Sequence, residues 1–150
     1  MDPRQAPQLH ARIADGFARI PHNQALGMRV LDVATGAAVI RLDYRQEFLG
    51  DPAESIWHTG PAISLADAAA GLATLLIIPQ SEAVATLDLR MDYLRPAVAG
   101  EPLVARGECH RLTRRVAFAR VNLHQGDADR PTALCAAAFM RTRRANKRNG

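Results

Sequence analysis

From Pro61 to Ile78 the chain is apolar, rich in alanine and leucine, and carries one charge, Asp67. That composition favours a helix, and a helix that is apolar nearly all round belongs in a core. Both ends are marked. Gly60 suits an N-cap, Pro61 suits the first helical position, where its missing N–H is no loss, and Pro79 ends the helix. The stretch is long enough to span a membrane, yet the central Asp67, the leading proline and the strand-like pattern that follows argue for a buried helix instead. Its small and polar residues, Ser64, Asp67, Gly71 and Thr74, fall on one stripe at spacings of three and four. That stripe lets another element come close.

A carboxylate two turns inside a buried helix is costly unless it is hydrogen-bonded or put to use. Tied to nearby backbone, Asp67 is structural. The functional reading is stronger, because the helix start beside it offers backbone N–H groups to a developing negative charge.

Composition narrows the rest. A chain of 150 residues, 48% hydrophobic and 23% charged, is ordinary for one soluble domain with a proper core. Met1–Gln8 shows no basic patch followed by an apolar run, so no secretory signal is visible and a cytoplasmic protein is expected. The net charge of +4 suggests nucleic acid until it is located. The last ten residues hold five basic residues (Arg141, Arg143, Arg144, Lys147, Arg148) and no acid, which leaves residues 1–140 at −1. We therefore expect residues 1–142 to form one domain, and 143–150 to be a solvated, disordered basic tail with no nucleic-acid role. Cys109 and Cys135 have no metal-ligand spacing, and Cys109-His110 lacks a second pair. Free buried thiols are expected, with no metal and no cofactor.

In chain order, Leu9, Ile13, Phe17 and Ile20 repeat about every four residues and predict an amphipathic helix over roughly 8–20. Residues 25–33 and 37–44 read as a hairpin turning at Thr35-Gly36. A loop from Arg45 to Trp57 leads into the central helix. Residues 84–94 alternate cleanly, Leu87, Leu89, Met91 and Tyr93 against Thr86, Asp88, Arg90 and Asp92. Further strands are expected at 103–112, 115–124 and 132–143, with a turn at Gln125-Gly126-Asp127. Consecutive hairpins around one helix make an α+β domain with a mostly antiparallel sheet. One helix cannot cover both faces of six strands, so an oligomer is expected.

This order, with one acid on a buried helix, resembles the hotdog fold, and more closely the PaaI-type acyl-CoA thioesterases. Gly50-Asp51-Pro52 through His58-Thr59-Gly60 is similar to that family's Gly-Asn-Pro…His-Gly-Gly stretch. Leu65-Ala66-Asp67-Ala68-Ala69-Ala70-Gly71 is similar to its Leu-x-Asp-x-Ala-x-Gly helix, with nine residues from His58 to Asp67. Asp92-Tyr93-Leu94-Arg95-Pro96-Ala97 and Arg114-Arg115-Val116-Ala117-Phe118 match the strand ending and hairpin that follow. The resemblance implies a six-stranded antiparallel sheet wrapped around one long helix, preceded here by an extra N-terminal helix, in a homodimer that pairs into a dimer of dimers. Two positions depart from the pattern. Asp51 stands for Asn, so the loop loses an amide donor and gains a second carboxylate near Asp67. Thr59 stands for Gly, which keeps the backbone N–H but adds bulk.

By the same resemblance the substrate is an acyl-CoA. Its carbonyl oxygen would rest on the N–H groups of Thr59 and Gly60, an interaction worth up to ~4 kcal/mol when well placed. Asp67 would act as general base or as nucleophile, from one subunit on a thioester held mainly by the other. His58 would orient the thioester or serve as a structural hydrogen-bonding group, and Thr86 would help hold the water or simply face solvent. Tyr93, Arg95, Arg111 and Arg114 stand where substrate and CoA contacts are implied, and Arg suits phosphate oxygens. Two other readings use the same residues: a hotdog hydratase or dehydratase, and a non-catalytic acyl-CoA-binding protein.

Overall fold

The protein is described by a computed structural model covering residues 6–143. The expected tail beyond Arg143 lies outside the described residues. The chain runs α1 (Ala6–Ala18), α2 (Pro21–Leu26), β1 (Arg29–Ala34), β2 (Ala37–Leu42), a 3-10 turn at Gln46–Phe48, β3 (Leu49–Asp51), β4 (Ile56–Trp57) and the long helix α3 (Thr59–Leu75). Four long strands follow: β5 (Glu82–Tyr93), β6 (Leu103–Leu112), β7 (Val116–His124) and β8 (Ala133–Arg143). Six strands form one sheet in the order β1-β2-β6-β7-β8-β5, with every neighbouring pair antiparallel. The remaining two, β3 and β4, make a separate small hairpin. This is the hotdog arrangement expected from the sequence. Among the described residues no helix is long and apolar enough to cross a membrane.

The helix lies directly on the sheet. α3 packs against β2, β6, β7, β5 and β8, and Leu65, Ala66, Ala69, Ala70, Leu72 and Ala73 are fully buried. The alanines have a steric cause. A Cβ on Gly107 of β6 would stand 2.4 Å from the Ala69 carbonyl oxygen, so the helix backbone touches the sheet where a side chain would otherwise sit. Leu42, Leu103, Leu123 and Phe139 fill the core around that contact.

Four local expectations are corrected. Residues 21–26, where the sequence pattern ends a helix near Pro21 and begins a strand at Ala25, are the short helix α2. Pro21 opens it, and Gly27 at φ 76° closes it with its N–H bonded to the Asn23 and Gln24 carbonyls. The central helix starts two residues early, with His58 as N-cap in place of Gly60. It also ends early, at Leu75. Pro79 disfavours helical geometry just before it, and the Ile77 and Ile78 amides both turn back to the Thr74 carbonyl. Lastly, Leu87 does not share a face with Leu89, Met91 and Tyr93. A bulge between Thr86 and Asp88 in the β5–β8 register leaves Leu87 52% exposed and swings Thr86 to the helix side.

The basic C-terminal run is part of the sheet at its start. Arg141, in β8, is a half-buried partner of Glu82, with Nε to Oε2 at 2.7 Å and Nη2 to Oε1 at 3.0 Å, and it also donates to the Thr113 carbonyl. The two-point geometry clasps the first residue of β5 to β8 and to the β6–β7 turn. Both cysteines are free and buried, as expected.

The Gly107 contact makes a sharp test. Gly107→Ala should cost about 3 kcal/mol or more by overpacking against backbone that has no rotamer to change. Gly71→Ala should be neutral or stabilising, because a Cβ there meets only Phe139, at 3.8 Å, and alanine is the better helix former by about 1 kcal/mol. Urea unfolding of the two variants checks the contrast.

Candidate active site

The acid and the helix start are held by different devices. Asp67 is half-buried on α3, and one of its oxygens, Oδ1, accepts a hydrogen bond from Thr86 Oγ1 at 2.9 Å. Regular alternation would point Thr86 away; the bulge at Leu87 is what brings it to the acid. Asp67 also lines a cavity of about 720 Å³. Apolar side chains make most of its wall, with Phe17 and Ile20 on the N-terminal side, Leu75 at the far end of α3, and Leu89 and Phe139 from the sheet. Polar groups gather at Asp67: Ser64 one turn earlier, Thr86, and His22 from α2, whose Nε2 lies 3.4 Å from Ser64 Oγ.

Ser64, Asp67 and Gly71 of the expected stripe reach this cavity, whereas Thr74 does not. It is fully buried and donates its hydroxyl to the Ala70 carbonyl at 2.9 Å, which satisfies it inside the core. Leu75 takes its place along the wall. His22 was not singled out from the sequence, and Phe17 only as part of the apolar period of the N-terminal helix. Pro21 and Gly27, six residues apart, are the one signal that could have placed His22 on a helix.

The helix start is anchored from the loop before it. Trp57 stacks on Phe48 with ring centroids 5.5 Å apart, meets Tyr44 edge-on, and donates from Nε1 to the Val98 carbonyl. The His58 amide donates to the Phe48 carbonyl at 2.7 Å, and a Cβ on Gly50 would come within 2.7 Å of that same nitrogen. Held there, His58 turns its ring onto the first helical turn, and Nδ1 accepts from the Gly60 N–H at 2.9 Å. Two consequences follow. The neutral ring carries its proton on Nε2, free to donate outward, and the Gly60 N–H expected to face a carbonyl is already engaged. Thr59, at the first helical position, keeps an N–H with no carbonyl one turn back to receive it.

His58, Thr59, Tyr93 and Arg95 line a second cleft of about 390 Å³, floored by Trp57 and Ala62. Burial raises the Tyr93 phenol above its ordinary range, and a hydrogen bond with the Thr59 side chain works against that rise. The Arg95 guanidinium is held by the Arg130 carbonyl. Arg114 lines a third cavity, about 450 Å³, with Arg115, Arg141, Arg143 and Glu82. Arg111 sits on β6 beside a bulge and lines none of these spaces. Asp51 Oδ1 accepts from the Ala53 and Glu54 amides, at 2.8 and 3.4 Å, and the exposed side chain closes its own loop. Among the described residues no cluster of three or more His, Cys, Asp and Glu could hold a metal ion.

Cys135 reports on the acid. Its thiol is pushed up to about 11, first by burial and then by Asp67, Asp88 and Asp92. At pH 8 the native thiol should react with iodoacetamide roughly 10²-fold more slowly than an unperturbed cysteine, with the rate climbing as pH rises toward that value. Asp67→Asn removes one of the charges that hold the proton on sulfur, so alkylation of that variant should be faster at the same pH, as mass spectrometry of timed reactions would show.

The geometry has counterparts. The model of the thioesterase superfamily matches residues 54–132, from the loop before α3 to the start of β8. The medium/long-chain acyl-CoA thioesterase YigI of Escherichia coli K12 is 34% identical over 118 residues, which are 70% of this chain and 76% of that one. A variant of the phenylacetic acid degradation protein PaaI from Thermus thermophilus is 34% identical, with a TM-score of 0.71, and is matched over 81% of this chain and 99% of its own. The E. coli PaaI protein shares the fold at a TM-score of 0.78 and 21% identity, over 92% of this chain and 94% of its own.

Proposed function

The chain belongs to the thioesterase superfamily, and from that premise we propose that it hydrolyses an acyl-CoA thioester to the free acid and CoA, with Asp67 as the group that delivers water or attacks directly. The observation that carries this reading is the Asp67–Thr86 hydrogen bond in the wall of a mostly apolar cavity. Thr86 orients the carboxylate, and its other oxygen remains available to take a proton from water at the cavity mouth. His58, donating from Nε2, and the Thr59 N–H are suited to a carbonyl oxygen that gains charge in the tetrahedral transition state. Thr59 in place of glycine keeps that N–H.

One chain does not bring these groups together. Thr59 and Asp67 are eight residues apart on a straight helix, about 12 Å along its axis, whereas reacting atoms must approach to ~3–3.5 Å. The reading therefore requires two copies, with Asp67 of one acting on a thioester held at the helix start of the other. β5 is the edge strand for this purpose. It is twelve residues long, pairs only with β8 among the described strands, and offers its free edge to the same strand of a second copy around a two-fold axis. A homodimer is the minimal unit, and a dimer of dimers agrees with the family resemblance. The arginines at Arg95, Arg114 and Arg111 are the candidates for the phosphates of CoA.

Thiol release from aryl- and alkyl-CoA thioesters tests this. Wild type should liberate CoA, and Asp67→Asn should lose roughly 10²–10⁴-fold in kcat while keeping its circular dichroism. Mixing Asp67→Asn with His58→Ala should regain activity through hybrid dimers that hold one intact site. A wild type that releases no thiol from any thioester, or an Asp67→Asn variant as active as wild type, overturns the assignment. Hydration of an enoyl thioester without thiol release would point to the hydratase chemistry.

A further inference from the structure

The cavity at Asp67 ends against a second one. A space of about 370 Å³ opens between α1 and the end of α3, bounded by Arg12, Ile13, Gly16 and Gln80. Phe17, Ile20 and Leu75 line both spaces, one on each side. These three side chains are a partition. From Asp67 to Leu75 is eight residues of helix, about 12 Å, a length that a medium alkyl chain spans. The floor between them is open because Gly71 has no side chain there. The polar groups crowd the Asp67 end, and toward Leu75 the walls are Phe17, Ile20, Leu75, Val84 and Phe139, which suit hydrocarbon.

We propose that Phe17, Ile20 and Leu75 set the length of acyl chain the enzyme accepts: the tail runs along α3 from Asp67 and stops at this partition, with the space behind it closed to a medium chain. The inference rests on the thioesterase reading for the placement of the reacting end and adds the side chains that measure the tail. Up to the partition each methylene leaves water for an apolar wall and raises kcat/KM by about fourfold; beyond it a further methylene gains nothing. The N-terminal segment, which contributes Phe17 and Ile20, is thereby a specificity element, separate from α3 and its acid.

Two opposed variants test the partition. Leu75→Ala removes the half-buried side chain and joins the two spaces. Gly16→Leu fills the space behind the partition at little cost to folding, since nothing lies within 4 Å of a Cβ at Gly16 and leucine favours a helix over glycine. With hexanoyl-, octanoyl-, decanoyl-, dodecanoyl- and hexadecanoyl-CoA, wild type should gain with chain length and then level off. Leu75→Ala should raise the hexadecanoyl-to-octanoyl ratio of kcat/KM by about tenfold, and Gly16→Leu added to it should restore the wild-type ratio. A folded Leu75→Ala with an unchanged ratio, or a double variant as permissive as Leu75→Ala alone, overturns the proposal. Calorimetric binding of the free fatty acids of the same lengths gives a readout that needs no turnover. If no thioester is hydrolysed but Leu75→Ala tightens binding of hexadecanoate over octanoate, the thioesterase reading fails and the partition stands. If Leu75→Ala leaves both series as wild type, the partition fails.

Discussion

Everything in this molecule depends on how closely α3 approaches the sheet. At Ala69 the helix backbone meets Gly107 with no room for a single added carbon, and the inner face of the helix is alanine and leucine apart from Gly71 and Thr74. Depth of burial then fixes what the helix can carry. A charge is tolerable only on the face that does not meet β2, β6 and β7, and only where polar partners exist. Asp67 has that place: half-buried, hydrogen-bonded to Thr86 and open to a cavity. The position of the acid is therefore a result of packing before it is a result of chemistry.

A second constraint comes from the sheet itself. Side chains on a regular strand alternate, and regular alternation on β5 puts Leu87 inward and Thr86 outward. The extra residue in the register with β8 exchanges them, at the expense of exposing a leucine. Bulges of this kind re-aim side chains beside working sites, and here the re-aimed group is the one that orients Asp67. The same strand is an edge of the sheet among the described strands, so its irregularity, its exposed leucine and its proximity to the acid coincide at the edge proposed above to meet a second copy.

Much of this was legible in the sequence. The alanine-rich apolar run with one acid specified the central helix, and four well-alternating segments specified the long strands, because periodicity reports directly on which faces are buried. The family likeness supplied the architecture. What escaped was set by interactions between distant residues. His58 is an N-cap because Trp57, Phe48 and Gly50 fix its backbone, a fact of tertiary packing that Gly60-Pro61 did not reveal. The six residues of α2 are too few for a period to be read, and Leu26 and Met28 mimic a strand. The bulge at Leu87 leaves no mark in a pattern that alternates perfectly on paper. Asp51 stands where the family resemblance has Asn, and its local bonds to the amides two and three residues on were not legible in that match.

The cavity beside Asp67 is bounded by parts of the chain that differ in their freedom to change. α3 and β6 meet backbone to backbone, so nearly every substitution along their contact is felt by the core. Ile20 and His22 come instead from the segment before β1, where both are exposed and α2 is held by one proline, one glycine, Asn23 and the Arg45 bond to the Ala25 carbonyl. Mutation can thus redraw one wall while the helix that bears the acid stays as it is. A lineage built on this plan can explore new substrates from its N-terminus, and keep a single inherited centre while doing so.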